Sequence, residues 1–403
     1  MLNFSIDNFI KKHITLREES MLLSDIEANK EKITDEIQGK KVLVIGGAGT
    51  IGSSFIKAIL PFLPAKLVVV DYSENGLTEL TRDLRSAYNE YVPKDYITYP
   101  FDFGGNILKK YLGDESFDII ACFAAHKHVR SEKDHLAIEA MVRNNVFNTK
   151  SLLDLALKHP PKHFFCVSTD KAANPVNVMG ASKKVMEKVL MAYTHQLKIS
   201  TARFANVAFS NGSLLFGFIQ RMMKRQPLSS PSDVKRYFVS PEESGQLCML
   251  ACLLGETANI FFPKLDESQM MTFSYIAEKF LLELGLTPDY CDTDEEARVK
   301  AKNWTVGQKK YPVYFFKTDT SGEKSFEEFY TNTDVVDMDS FQALGIIKNT
   351  DIPMMSDIDE MLVKFETLFA NNKIVKSDVV NLIGQYLPDF NHIETGKSLD
   401  QKM

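Results

Sequence analysis

Gly46-Gly-Ala-Gly-Thr-Ile-Gly52 follows directly on the apolar run Lys41-Val-Leu-Val-Ile45 and opens a helical segment, Thr50–Leu60. Glycines at positions 46, 49 and 52 leave few options for the fold. Gly46 permits a tight turn, Gly49 lets backbone approach a pyrophosphate, and Gly52 lets the helix pack on the strand. The helix start at Thr50, Ile51 and Gly52 presents free N–H groups and the positive end of the helix dipole to the same place. A glycine turn alone is a weak signal. It gains weight from Asp71, which ends the next apolar run, Leu67-Val-Val-Val-Asp71, nineteen residues after Gly52. About 20 residues is the separation expected for the carboxylate that takes the adenosine ribose. Its charge would repel a 2′-phosphate, and Tyr72-Ser-Glu-Asn-Gly76 brings no cation, so the expected cofactor is NAD rather than NADP.

From Lys41 onward short β-branched runs alternate with helical patterns. Tyr96–Tyr99, Asp118–Phe123, Phe164–Val167 and Ser200–Phe204 read as further strands, and Asp134–Lys158 as a long amphipathic helix. Nearly continuous apolar strands imply a sheet covered on both faces. The expected fold class is α/β: a doubly wound parallel-sheet Rossmann domain with a smaller α/β C-terminal substrate lobe. The expected organisation is an N-terminal helical arm (1–39), an NAD-binding domain (40–205), a substrate lobe (206–345, some segments returning to the sheet) and a helical C-terminal tail (346–403). The charge alternation of 25–36 suggests surface helices or an oligomer-contact arm, and the last fifteen or so residues look frayed.

Composition excludes several classes. Over 403 residues, 44% hydrophobic and 25% charged content is that of a soluble globular protein. A formal net charge of −6, with no basic stripe, gives no reason to expect nucleic acid. No apolar run approaches the roughly 20 residues that span a bilayer, and the N-terminus lacks a signal-peptide layout. The expected location is the cytoplasm, without a membrane partner. Five cysteines make no disulfide framework, and no metal is expected, because His126, His128, Cys248 and Cys252 find no further ligands at suitable spacing.

The chemistry concentrates in residues 168–183. Asp170 and Lys171 stand side by side after the fifth strand, and Met179-x-x-x-Lys183 opens a helix. A short-chain dehydrogenase would carry Tyr-x-x-x-Lys at that place. The general acid/base tyrosine is missing and an acid/base pair stands nearby, which points toward an elimination. These pieces resemble the extended short-chain dehydrogenase/reductase family. Within it they are most similar to the UDP-N-acetylglucosamine 4,6-dehydratases of bacterial polysaccharide biosynthesis, in the branch with Met in the tyrosine slot. The resemblance covers about 40–345 and rests on the glycine turn, Ala125-His-Lys-His-Val129, Ser168-Thr-Asp-Lys-Ala172, Asn174–Lys183, Arg203-Phe-Ala-Asn-Val207 and Ser210-Asn-Gly-Ser213. Larger members carry an N-terminal membrane region; this chain is expected to be the soluble catalytic part with a short leader.

A 4,6-dehydration moves a hydride from C4 of the sugar, removes water across C5 and C6, and returns the hydride to C6. Lys171 is the expected base at C5 and Asp170 the expected acid at C6. Both need shifted pKa values, the lysine lowered by burial and the aspartate raised, while their closeness favours both charged forms, so either desolvation wins or a proton passes between them. Thr169 or Ser168 is expected to relay the C4 hydroxyl proton, and Met179 fits as core packing. The resemblance implies that Lys183 holds the nicotinamide ribose and that Asn206 touches the diphosphate. Arg203 is expected to bind substrate beside Asn206, and Asn211 and Ser213, also substrate-binding candidates, open an anion-friendly helix. Arg236 is a phosphate candidate, Asp102 an adenine cap, and His128 a polar lining group. Ala124 and Ala125 would let the cofactor lie against backbone. The expected substrate is UDP-N-acetylglucosamine, and a homo-oligomer is expected. The rivals are a 4-epimerase of the same fold and a non-catalytic NAD-binding scaffold.

Overall fold

The computed structural model describes residues 4–87, 91–322, 324, 326–348, 351–371 and 373–396; the outer ends of the expected arm and tail, 1–3 and 397–403, lie outside the described residues. Nine strands form the main sheet: β1 (Lys41–Ile45), β2 (Lys66–Asp71), β3 (Asp95–Pro100), β4 (Ile119–Cys122), β5 (His163–Val167), β6 (Ile199–Ala202), β7 (Asn259–Pro263), β8 (Val335–Asp337) and β9 (Leu344–Lys348). Their order is β8-β9-β7-β6-β5-β4-β1-β2-β3. The first seven run parallel, and β9 is antiparallel to both its neighbours. The succession 3-2-1-4-5-6 is the doubly wound α/β arrangement. Its direction reverses between β1 and β4, where such sheets bind ligands beyond their carboxyl ends. Every residue of β4, β5 and β6 is buried, as their unbroken apolar character requires.

Helices cover both faces. On one, Val178–Ala192 sets Val185, Val189 and Leu190 against Leu43, Ile120 and Phe164, and the tail helices Met355–Phe369 and Lys376–Tyr386 join the same core through Phe365 and Ile383. On the other, Thr50–Ile59 and Pro241–Leu254 pack Phe55, Ile56, Leu247 and Leu250 against Val42, Val44 and Phe165. A third cluster, including Phe209, Phe218, Phe280 and Val313, surrounds a three-stranded sheet of Leu228–Pro231, Thr287–Tyr290 and Lys310–Phe316. The helix expected over Asp134–Lys158 is helical from His135 to Ala156, but a π-turn at Arg143–Phe147 interrupts it. Among the described residues no helix is long and apolar enough to cross a membrane.

Two expectations are corrected. The arm is not a set of surface helices. Ile33 and Ile37, four apart on one helical face, are fully buried in the second core, and Phe9, Ile10 and Ile14 are buried in the third. Asp25 accepts hydrogen bonds from the backbone N–H groups of Gln342 and Ala343, and Arg17 donates to both oxygens of Glu243. The charge alternation covers only the outer face of these helices. Nor is the described end of the tail frayed. The Ile393 N–H donates to the Val176 carbonyl at 2.9 Å, and the Gly322 N–H donates to the Ile393 carbonyl at 3.0 Å. Lys376 Nζ and His392 Nε2 both meet Glu132, a buried carboxylate that also accepts the Val178 N–H.

If the arm is part of the core, Phe9→Ala removes an aromatic side chain that is 1% exposed. It should cost about 3–5 kcal/mol in a denaturant titration. A cost below about 0.5 kcal/mol would mean a surface helix after all.

Candidate active site

The glycine turn is built as its spacing implies. Gly46 has φ +75°, and a Cβ there would lie 2.5 Å from the Ala124 nitrogen, so the turn presses directly on the end of β4. A Cβ on Gly52 would lie 2.4 Å from the Gly46 carbonyl oxygen, which only glycine tolerates. Gly49 meets only the Gly46 oxygen, at 3.4 Å, and caps the helix that opens at Thr50, where Ile51 and Gly52 complete the first turn. Asp71 is 8% exposed, and its two oxygens accept the Ala48 and Ser73 N–H groups at 3.0 and 2.9 Å. The carboxylate therefore braces the glycine turn, and its remaining lone pairs are what a ribose would meet. Asp102 is exposed and accepts the Gly104 N–H, capping its own loop. Ala124 and Ala125 are half-buried at the end of β4.

A second group of residues converges beside this turn. Thr50 Oγ1 accepts the Asn211 N–H at 2.9 Å, which ties the glycine helix to the loop 209–213. That loop bends sharply: Phe209, a non-glycine residue, has φ +52°, and Gly212 has φ +75°. A Cβ on Gly212 would touch the His128 ring at 3.1 Å, so His128 borders the same loop. His128 stays solvent-accessible, yet partial desolvation and then Lys127, Arg130 and His126 hold its pKa below the usual histidine value. Ser213 caps the helix Leu214–Met223 by accepting the Phe216 N–H. Asn206, on a two-residue strand paired with Phe238–Val239, has a buried Nδ2 with no hydrogen-bond partner among the described residues. Leaving such a donor orphaned costs about 1–3 kcal/mol, so it is a group in want of an acceptor.

The turn after β5 holds the Asp170–Lys171 pair singled out in the sequence. Thr169 Oγ1 donates to Asp170 Oδ1 at 2.8 Å, the Lys171 N–H donates to the same oxygen at 2.8 Å, and Lys171 Nζ donates to it at 3.1 Å. The helix Val178–Ala192 lies against this turn, and a Cβ on Gly180 would sit 2.5 Å from the Lys171 carbonyl oxygen. Met179 is buried in that helix. Lys183 is 3% exposed, and its Nζ donates to the Val167 carbonyl at 2.6 Å and reaches Met186 Sδ at 3.1 Å; burial pushes its pKa down.

Of the two routes open from the sequence, a Lys171 pKa lowered by burial is the one the structure overturns. Burial does press it downward, but Asp170 and a second carboxylate, Glu327, outweigh that and hold it above the ordinary lysine value. Glu327 Oε1 lies 3.6 Å from Lys171 Nζ and 3.9 Å from Arg236 Nη2. Arg236 therefore faces this ion cluster, and its Nη1 donates to the Lys235 and Lys324 carbonyls. Arg203 is also placed differently from the expected substrate contact. It is fully buried, donates from Nε and Nη2 to the two Glu187 oxygens at 3.0 and 2.8 Å, and donates from Nη1 to the Phe329 carbonyl at 2.8 Å. It joins the helix Val178–Ala192 to the segment that carries Glu327.

Three residues escaped the sequence reading. Glu327 lies far along the chain in a stretch without periodicity. Gly180 carried no signal separate from its helix. Asn145, 1% exposed in the π-turn, accepts the His126 N–H and donates to the His126 carbonyl and to Ser182 Oγ; a polar residue inside an apolar helical run was the available hint.

The Glu187–Arg203 pair sets a pH window. Burial pushes the Glu187 carboxyl up, but Arg203, Lys184 and the Ser168 hydroxyl overcome it and bring the pKa down from 4.5 to about 2. Its stabilisation is complete above the unfolded value and fades as pH falls from 4.5 toward 2. Glu187→Gln should cost about 3–5 kcal/mol near neutrality, because a buried guanidinium loses its partner. In denaturant titrations the deficit should narrow below pH 4.5. A deficit independent of pH would contradict this.

The chain matches the polysaccharide biosynthesis protein family over residues 42–347. It is 29% identical over 314 residues to an uncharacterized membrane protein of Methanocaldococcus jannaschii, covering 74% of this chain and 87% of that one. It is 27% identical to the probable polysaccharide biosynthesis protein EpsC of Bacillus subtilis over 76% of this chain, and the match spans 50% of that relative's length. It is 25% identical to a UDP-N-acetylglucosamine 4,6-dehydratase (inverting) of Campylobacter jejuni, over 76% of this chain and 88% of that one. The solved structure of Pen from Bacillus thuringiensis superposes with a TM-score of 0.62 at 19% identity, covering 82% of this chain and 98% of that one, a likeness of fold. With the family's pattern running through most of the sheet and through the turn after β5, the chain belongs to the polysaccharide biosynthesis protein family.

Proposed function

We propose that this protein is an NAD-dependent 4,6-dehydratase acting on UDP-N-acetylglucosamine. The single observation that carries the reading is the pair of a buried Asp170 and a half-buried Lys171, 3.1 Å apart in the turn beyond β5. The braced glycine turn, the Asp71 carboxylate and the orphaned Asn206 donor support a dinucleotide and a sugar nucleotide side by side. The similarity to Campylobacter jejuni dehydratases agrees with it. When bound, NAD supplies the hydride acceptor for C4 and the hydride donor for C6.

The chain's own residues then have definite tasks. Elimination needs a neutral amine at C5 and a protonated acid at C6. The resting state instead favours the ammonium, because two carboxylates surround it. Transfer of one proton from Lys171 Nζ to Asp170, across their direct hydrogen bond, creates the base and the acid in one step. Lys171 takes the C5 proton as Asp170 gives its proton to the departing C6 hydroxyl, and the starting ion pair is restored. Thr169, which donates to Asp170 Oδ1, is placed to pass the C4 hydroxyl proton on toward solvent, because Asp170 already holds the proton from Lys171. As the hydride reaches C6, Lys171 gives a proton back to C5 and regains one from solvent. Lys183 and Asp71 are the proposed contacts to the two riboses, and Asn206 is the proposed contact to the diphosphate.

A 4-epimerase of the same fold would rely on a tyrosine where Met179 stands and has no use for an acid/base pair at C5 and C6. Incubation with UDP-N-acetylglucosamine and mass spectrometry of the product separates the two. The expected product is lighter by one water; a product of equal mass would mean epimerisation, and no turnover with NAD bound would favour a scaffold. Lys171→Ala should abolish water loss and keep NAD affinity within about twofold, since the lysine touches no part of the glycine turn. Undiminished turnover in that variant would remove Lys171 from the reaction.

A further inference from the structure

The proposed chemistry asks Lys171 to change from amine to ammonium as it takes the C5 proton, and positive charge appearing in a buried place must be met by a fixed negative group. Asp170 cannot be that group alone, because it is engaged in the opposite proton transfer. Glu327 is 5% exposed and 3.6 Å from Lys171 Nζ. The segment around it is sewn in place: Asn177 Nδ2 donates to the Gly322 carbonyl, Lys324 Nζ to the Asn174 carbonyl, and Arg203 Nη1 to the Phe329 carbonyl. The charged groups that face it are Lys171 and Asp170 from the turn after β5, Arg236 from the short strand Lys235–Arg236, and Lys324 from its own segment. Burial raises the Glu327 pKa, with Asp170 adding to the rise and the three cations opposing it.

We infer that Glu327 is a positioning residue of the acid/base centre: it fixes the Lys171 side chain opposite Asp170 and stabilises the positive charge that Lys171 acquires at C5. Arg236 in turn offsets the second carboxylate, so the quartet Asp170, Lys171, Glu327 and Arg236 balances two negative and two positive groups. The inference rests on the dehydratase reading, and it adds a residue that acts through Lys171 rather than on the sugar.

Glu327→Gln keeps the shape and removes the charge. Its kcat and its rate of deuterium entry at C5 in heavy water should fall together, by about ten- to a hundredfold, with KM little changed. Reduction of bound NAD in the first hydride transfer, followed by absorbance, should stay near the unmodified rate. The pH limb that reports Lys171 should move to lower pH, because the ammonium has lost one of its two carboxylates. Glu327→Asp keeps the charge but draws it away from Nζ, and should give an intermediate C5 exchange rate at an unmoved limb. Unaltered C5 exchange in either folded variant, or an unmoved limb in Glu327→Gln, would overturn the inference. Lys171→Ala run in parallel separates the two ideas: if that variant still loses water, the base assignment itself has failed, whereas an inactive Lys171→Ala beside an unaffected Glu327→Gln rejects only the role of Glu327.

Discussion

A half-buried lysine ammonium held between two buried carboxylates is the interaction around which the candidate site is arranged. Desolvation alone would lower the Lys171 pKa; Asp170 at 3.1 Å and Glu327 at 3.6 Å outweigh it and hold the pKa above the ordinary lysine value. Such a cluster persists only if its members are held closely, since desolvated charges repay their cost over short distances. The means are visible on every side. Gly180 lets a helix backbone touch the Lys171 carbonyl, Asn177 caps that helix and reaches Gly322, and the described end of the tail bonds to Val176 and Gly322.

The same logic explains residues that do no chemistry. Arg203 and Glu187 form a second buried ion pair beneath the first, joining the helix Val178–Ala192, the end of β6 and the Phe329 backbone. The arm, which looks polar along much of its length, is bonded through Asp25 to the backbone before β9 and through Arg17 to the helix Pro241–Leu254. These long-range polar ties hold the third cluster, with Phe209 and Asn211, against the glycine helix, where Thr50 meets the loop.

Much of the fold was legible because it follows from local rules. Apolar runs without alternation gave a covered parallel sheet, and glycines at 46, 49 and 52 gave the first turn, down to the contact of Gly46 with Ala124. The Asp170–Lys171 contact was legible too, since the two are neighbours in sequence. What was not legible depends on distant partners. Burial and the neighbouring Asp170 pull the Lys171 pKa in opposite directions, and the sequence left that contest open; Glu327, which tips it, arrives from a segment more than 150 residues away. Arg203 looked like a ligand contact because its partner Glu187 was hidden in a helix pattern. Arg236 was assigned to phosphate before its approach to Glu327 was visible. The arm's charge alternation masked Ile33 and Ile37, whose i, i+4 spacing was the signal for burial.

The measurement closest to the central claim is a crystal structure of the protein with NAD and a UDP-N-acetylhexosamine bound. Lys171 Nζ is expected about 3–3.5 Å from C5 of the hexose, on the side where C4 lies against the nicotinamide, with an Asp170 oxygen within hydrogen-bond reach of O6. A sugar seated in the cleft with both side chains turned away from its C5–C6 bond would contradict it.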